Sequence, residues 1–117
     1  MTRILIADSD AAFRKALSLL LNRRFGMMEV EEAADVESLI RDLSECPYDL
    51  LLLDWRILGA PAPETCRLLL KAFPELKIVL LSVNAEDIHA AHQAGAGFIH
   101  KGASPNNLLS VITPLIN

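Results

Sequence analysis

Four consecutive leucines at 50–53, ended at once by Asp54, constrain this chain more than any other stretch. A run that short and apolar at every position reads as a strand buried on both faces, which is the habit of a central strand in a parallel sheet. A carboxylate at the exit of such a strand stands in the crevice where open α/β sheets bind their ligands. The plainer alternative is that Asp54 caps a following helix, but Trp55, Arg56 and Ile57 do not open like one.

The flanking sequence repeats the same logic. Residues 3–7 form a buried strand ending in Asp8-Ser9-Asp10, and a helix follows with Phe13, Ala16, Leu17, Leu20 and Leu21 at helical spacing, stopped at Gly26. Its N-cap is Asp10 or Ser9. Residues 28–33 make a second strand, and Glu29, Glu31 and Glu32 place it at an edge. Asp35 caps a helix to about Ser44 with Val36, Leu39, Ile40 and Leu43 inward. After the leucine strand, residues 57–63 are a Gly/Pro loop. A helix over 64–73 is then ended by Pro74. Residues 77–82 are a buried strand, Asn84 with Asp87 three residues on opens a helix to about Ala94, and 98–100 is a short strand ending at Lys101. Ser104-Pro105 begins a last helix to about Thr113, closed by Pro114.

Five strands alternating with five helices predict an α/β fold: a doubly wound, flavodoxin-like, five-stranded parallel sheet in the order 2-1-3-4-5. The 117 residues suit one domain over 1–117. With 52% hydrophobic residues the chain is expected to be globular. A net charge of −4, with only the Arg23-Arg24 pair and lone Lys101 as basic features in question, argues against nucleic-acid binding by this domain. The start lacks signal-peptide character and no apolar run reaches about 18 residues, so a cytoplasmic protein is expected. Cys46 and Cys66 have no metal-ligand spacing and read as inert free thiols.

Four polar residues stand where buried strands end: Asp8, Asp54, Ser82 and Lys101. In a parallel sheet those ends share one edge, so the side chains can converge. Two carboxylates suit a hard cation such as magnesium, and a hydroxyl and an ammonium suit phosphoryl oxygens.

Those residues, with the stretches Ile4-Leu-Ile-Ala-Asp8, Asp49-Leu-Leu-Leu-Leu-Asp54, Val79-Leu-Leu-Ser82 and Gly95-Ala-Gly-Phe-Ile-His-Lys101, resemble the receiver domain of two-component response regulators over essentially the full length. The segment Gly-Phe-Ile-His-Lys-Gly-Ala-Ser-Pro resembles the NarL/LuxR-type subgroup in particular. The resemblance implies that Asp54 accepts a phosphoryl group from a histidine kinase. It implies that Asp8, Asp54 and the Arg56 backbone carbonyl hold magnesium, that Ser82 and Phe98 are the switch residues, and that Lys101 contacts the phosphoryl group.

The chain departs from the family pattern at several places. Ser9 stands where the second acid of the family's pair ligates the metal, so magnesium affinity is expected to fall, with Asp10 as a substitute through a water. The Arg56 side chain is a candidate counterion for Asp8 and Asp54 in the metal-free state. Ile57-Leu58 replaces the usual Met-Pro, Val83 is larger than the usual small residue and is expected to narrow access, and Phe98 lacks a tyrosine hydroxyl. Gly102 replaces a proline that follows Lys101 in a cis bond. Since a non-proline cis bond costs roughly 2.5–4 kcal/mol, a trans bond and some repositioning of Lys101 are expected.

Elsewhere, His89 and His92 lack a third ligand and read as surface residues. His100 belongs on the strand face opposite Lys101. Trp55 reads as partly exposed packing. The last helix has no charge from 102 to 117 and more apolar residues than one stripe needs, which predicts cover by a second copy or an output domain.

Three functions compete. The first is a phosphorylation-operated switch, a phosphoacceptor rather than a conventional enzyme. The second is a degenerate receiver that binds partners without phosphorylation. The third is a small haloacid-dehalogenase-like phosphatase, suggested by Asp8-Ser-Asp10. Against the phosphatase, no acidic pair follows Lys101 and Asp54 would have no task.

Overall fold

Hydrophobic patterning resolves into alternating elements in a computed structural model that describes residues 2–26, 28–57 and 61–116. The elements run β1 (Arg3–Ala7), α1 (Ala11–Phe25), β2 (Glu29–Ala33), α2 (Val36–Glu45), β3 (Leu50–Asp54), α3 (Ala62–Ala72), β4 (Lys77–Ser82), a 3-10 turn (Ala85–Asp87), α4 (Ile88–Gln93), β5 (Gly97–His100) and α5 (Pro105–Ile116). All pairings are parallel and the sheet order is β2-β1-β3-β4-β5, as the alternation predicted.

β3 lies at the centre, with Leu50 to Leu53 fully buried. Its alternate side chains feed two separate cores. Leu51 and Leu53 pack with Leu39, Leu43, Cys66, Leu69 and Phe98 under α2, α3 and α4. Leu50 and Leu52 pack with Leu17, Leu21, Leu108 and Ile112 under α1 and α5. A strand enclosed on both sides has no polar face to show, which is why the run is uniformly leucine.

Local chemistry fixes the element ends. Asp10, not Ser9, caps α1, its Oδ1 accepting from the Ala12 and Phe13 backbone N–H groups at 3.0 and 3.2 Å. Gly26 takes φ 71° at the other end, where a side chain would be strained. Asp35 caps α2 through the Ser38 N–H at 2.8 Å.

Several local expectations are corrected. α3 starts at Ala62, earlier than residue 64, because Pro63 fits the first helical turn, where its missing N–H is no loss. The loop residues 58–60, including Leu58, lie outside the described residues. Ala16 and Ile40 face solvent, since each core needs a narrower stripe than the apolar spacing offered. Pro114 does not close α5, which continues to Ile116. A proline this close to the end removes only a last-turn hydrogen bond. Nor does α5 carry a bare apolar face: Leu109, Val111, Leu115 and Ile116 are half-buried against the second core. Among the described residues, the exposed large apolar side chains are Leu19, Ile40, Leu68, Val83 and Ile88, all outside α5. No described helix is long and apolar enough to cross a membrane.

Candidate phosphoacceptor site

The register of the sheet brings the polar strand ends together. Backbone bonds carry the ladders one residue past β3 and β5: the Trp55 N–H donates to the Leu81 carbonyl at 2.8 Å and the Lys101 N–H to the Ser82 carbonyl at 2.7 Å. Asp8 is held by the bond from its own N–H to the Ala33 carbonyl at 3.0 Å. The result is a crevice of about 270 Å³ lined by Asp8, Asp10, Asp54, Ser82 and Lys101, with Ser9, Trp55, Arg56, Val83 and Asn84 completing it.

Its acidic side is buried and tightly paired. Asp8 is fully buried and Asp54 is 5% exposed. The Lys101 ammonium lies 2.6 Å from Asp8 Oδ2 and 3.1 Å from Asp54 Oδ1, with its charge 4.6 Å from the centre of the Phe13 ring. Asp8 Oδ1 accepts from the Asp10 N–H at 2.9 Å. Asp8 Oδ2 has no well-formed hydrogen bond and is held by the charge of Lys101. Behind it, Arg14 Nη1 donates to the Asp8 backbone carbonyl at 2.6 Å, and its Nε reaches Glu32 at 3.1 Å.

Burial pushes the Asp54 carboxyl above its ordinary range, and the Asp8 charge adds to the rise, while the hydrogen bond from Lys101 opposes it. Burial pulls Lys101 down, but its pairing with Asp8 and Asp54 outweighs that and raises it.

Other expectations separate at this point. Arg56 is exposed, and among the described residues it makes no ion pair, so it is not the counterion proposed from sequence. Lys101 reaches the carboxylates first, from the neighbouring loop and at shorter range. No described peptide bond is cis, so Lys101–Gly102 is trans, and Lys101 still spans both acids. Val83 stands at the crevice rim, 51% exposed. Phe98 lies in the first core and does not line the crevice. His89 and His92 are exposed, and Trp55 packs half-buried against the first core. His100 Nε2 donates to the Val83 carbonyl at 3.0 Å and also stays out of the crevice. The Cys66 thiol is pushed up by burial, which favours the inert form.

Sequence reasoning missed Asp87. It was read with Asn84 as part of a helix start, but Asn84 makes no side-chain cap bond. Asp87 instead accepts from Ser82 Oγ at 2.6 Å, and the Asn84 N–H donates to the same Oγ at 3.0 Å. An acid five residues beyond a strand-end hydroxyl was the only available signal.

A profile of the response regulator receiver domain matches residues 4–113. The chain belongs to that family. It is 32% identical over 116 residues to the response regulator GacA of Pseudomonas protegens, covering 96% of this chain and 54% of GacA. It is 29% identical over 115 residues to the response regulator UvrY of Escherichia coli, covering 96% of this chain and 53% of UvrY. The chain thus spans about half the length of these curated relatives. Among solved structures, a LuxR family DNA-binding response regulator from Silicibacter pomeroyi is 31% identical with a TM-score of 0.80, covering 99% of this chain and 91% of that one. Receiver domains are signalling proteins of two-component systems rather than conventional enzymes, and they generally bind magnesium. Membership sets the phosphatase alternative aside.

The donor set fits a hard divalent cation incompletely. Two buried carboxylates, one with an oxygen lacking a hydrogen bond, are suitable ligands. Among the described residues no group of three acidic, His or Cys side chains is placed to hold a metal. Ser9 puts a neutral hydroxyl beside these acids, and Lys101 already neutralises part of the crevice's charge.

Proposed function

We propose that Asp54 accepts a phosphoryl group from the phosphohistidine of a histidine kinase and that the modified domain changes its affinity for partners. The observation carrying this reading is the burial of Asp54 at the end of β3 with Lys101 3.1 Å away and the Ser82 hydroxyl on the same crevice. An Asp54 carboxylate oxygen forms the new P–O bond as the P–N bond to the kinase histidine breaks, and the imidazole nitrogen leaves with that bond's electron pair. Lys101 then meets a phosphoryl oxygen with its charge, and Ser82 donates a hydrogen bond to another. Bound magnesium, held by Asp8, Asp54 and the Arg56 carbonyl with Asp10 through a water, would supply further charge neutralisation. Ser9 weakens that hold. Ser82 and Phe98 act as the switch pair, and the signal passes from the α4–β5–α5 face to an output domain or a second copy. The protein works in the cytoplasm, and this domain itself leaves nucleic acid and membrane alone.

Acetyl phosphate with magnesium tests this. Intact-mass spectrometry should find one added phosphoryl group on the wild type and none on Asp54→Asn. A folded, magnesium-saturated wild type that gains no mass would favour the degenerate receiver, the reading that Ser9 and the Lys101 ion pairs support.

A further inference from the structure

The Ser82 hydroxyl has one proton, and it is already in use. Ser82 is 2% exposed, donates to Asp87 Oδ2 at 2.6 Å and accepts from the Asn84 N–H at 3.0 Å. Asp87 closes the 3-10 turn and precedes α4, yet its carboxylate makes no capping bond to that helix. Among the described residues, the hydrogen bond its carboxylate accepts is the one from Ser82. A phosphoryl group on Asp54 would need the same proton. Asp87 and the phosphoryl oxygens are therefore rival acceptors, and Ser82 can serve only one at a time.

We propose that Asp87 is a latch, a positioning residue that holds the Ser82 hydroxyl on the α4 side until Asp54 is modified. The proposal rests on the reading of Asp54 as phosphoacceptor and adds a rival to it. When Ser82 turns to a phosphoryl oxygen, Asp87 loses its O–H donor at the moment the crevice gains negative charge. Both changes push the carboxylate away and carry the 3-10 turn with it. That segment is built to yield. α4 is six residues long, Ala91 is its buried residue, and Ile88 beside the turn is 36% exposed. A helix of six residues has few hydrogen bonds of its own, so its first turn can move at low free energy. The latch thus sets the resting bias of the switch and links Ser82 to α4 through one hydrogen bond.

Beryllofluoride, a phosphoryl mimic, should report this through Trp55 fluorescence in saturating magnesium. Four proteins are compared: wild type, Asp87→Ala, Ser82→Ala and the double variant. Removing the latch raises the fraction of domains competent to bind, so Asp87→Ala should bind about three- to tenfold more tightly than wild type. In the Ser82→Ala background the same change should give no gain, because no proton is left to compete for. Should Asp87→Ala fail to fold, Asp87→Asn carries the same comparison with a smaller gain, since an amide oxygen is a weaker acceptor than a carboxylate. Unchanged affinity in the Asp87 variants overturns the latch and leaves the phosphoacceptor reading in place. A gain of equal size with and without Ser82 also overturns it, because lost negative charge would then explain the effect. Folded wild type that binds no beryllofluoride at all overturns the phosphoacceptor reading, and the latch with it.

Discussion

The acidic wall of the crevice and its hydroxyl wall are held in opposite ways. On the acidic wall, Asp8 and Asp54 are buried carboxylates paired with the partly buried Lys101, with Arg14 and the Asp10 N–H bracing Asp8 from behind. On the hydroxyl wall, Ser82 donates its one O–H to Asp87 beside an exposed turn and a six-residue helix. Buried charges cannot be left unpaired without a large penalty, so the first wall resists change. A single neutral-to-charged hydrogen bond is worth less and can be exchanged for another. A switch needs both: a fixed place for the chemistry and a movable group to sense it.

The largest effect that would break this contrast is loss of Lys101. Lys101→Ala leaves two buried carboxylates without their cation and should destabilise the protein by about 3 kcal/mol at neutral pH, read by urea unfolding. The pH dependence has a definite sign. Burial holds the Asp54 carboxyl above its ordinary value, so its ionised form opposes folding above that raised value and the penalty fades on acidification through it. Removing Lys101 deepens the penalty, so the deficit of the variant should be widest at neutral pH and shrink as Asp54 protonates. In the wild type, the contribution of Lys101 is fully present below its ordinary value and is lost as pH rises through its raised one. A deficit that does not vary with pH would mean that Lys101 acts by packing on Phe13 instead.

A smaller effect sharpens the acidic wall. Ser9→Asp adds a carboxylate to the crevice, and it should tighten magnesium by about tenfold in a Trp55 fluorescence titration. Equal affinities would mean that Asp10 already supplies the missing charge, despite its Oδ1 capping α1.

The smallest expected effect lies on the hydroxyl wall. A Cβ on Gly102 would meet His100 Cε1 at 3.1 Å, and the ring that must give way donates to the Val83 carbonyl next to Ser82. Gly102→Ala should therefore lower stability by less than about 1 kcal/mol while shifting the His100 ring resonances. Unmoved His100 resonances would show that the ring does not tie this loop to β5.

What the sequence determined by itself was set by short-range chemistry. Leu50 to Leu53 could only be a doubly buried strand, the βα alternation could only close as a parallel sheet, and Asp8, Asp54, Ser82 and Lys101 had to share an edge because parallel strands end together. Capping by Asp35 and the turn at Gly26 were equally local. The tertiary structure decided which rival partner each polar group takes. Arg56 and Lys101 were both candidate counterions, and the ladder bond that pins Lys101 to Ser82 gives the closer approach to Lys101. Asp87 stood at a helix start by spacing, but the 3-10 turn swings its carboxylate onto a hydroxyl on another element. Distances between elements distinguish such partners, and they follow from how β4, β5 and α4 pack, not from the order of residues along any one of them.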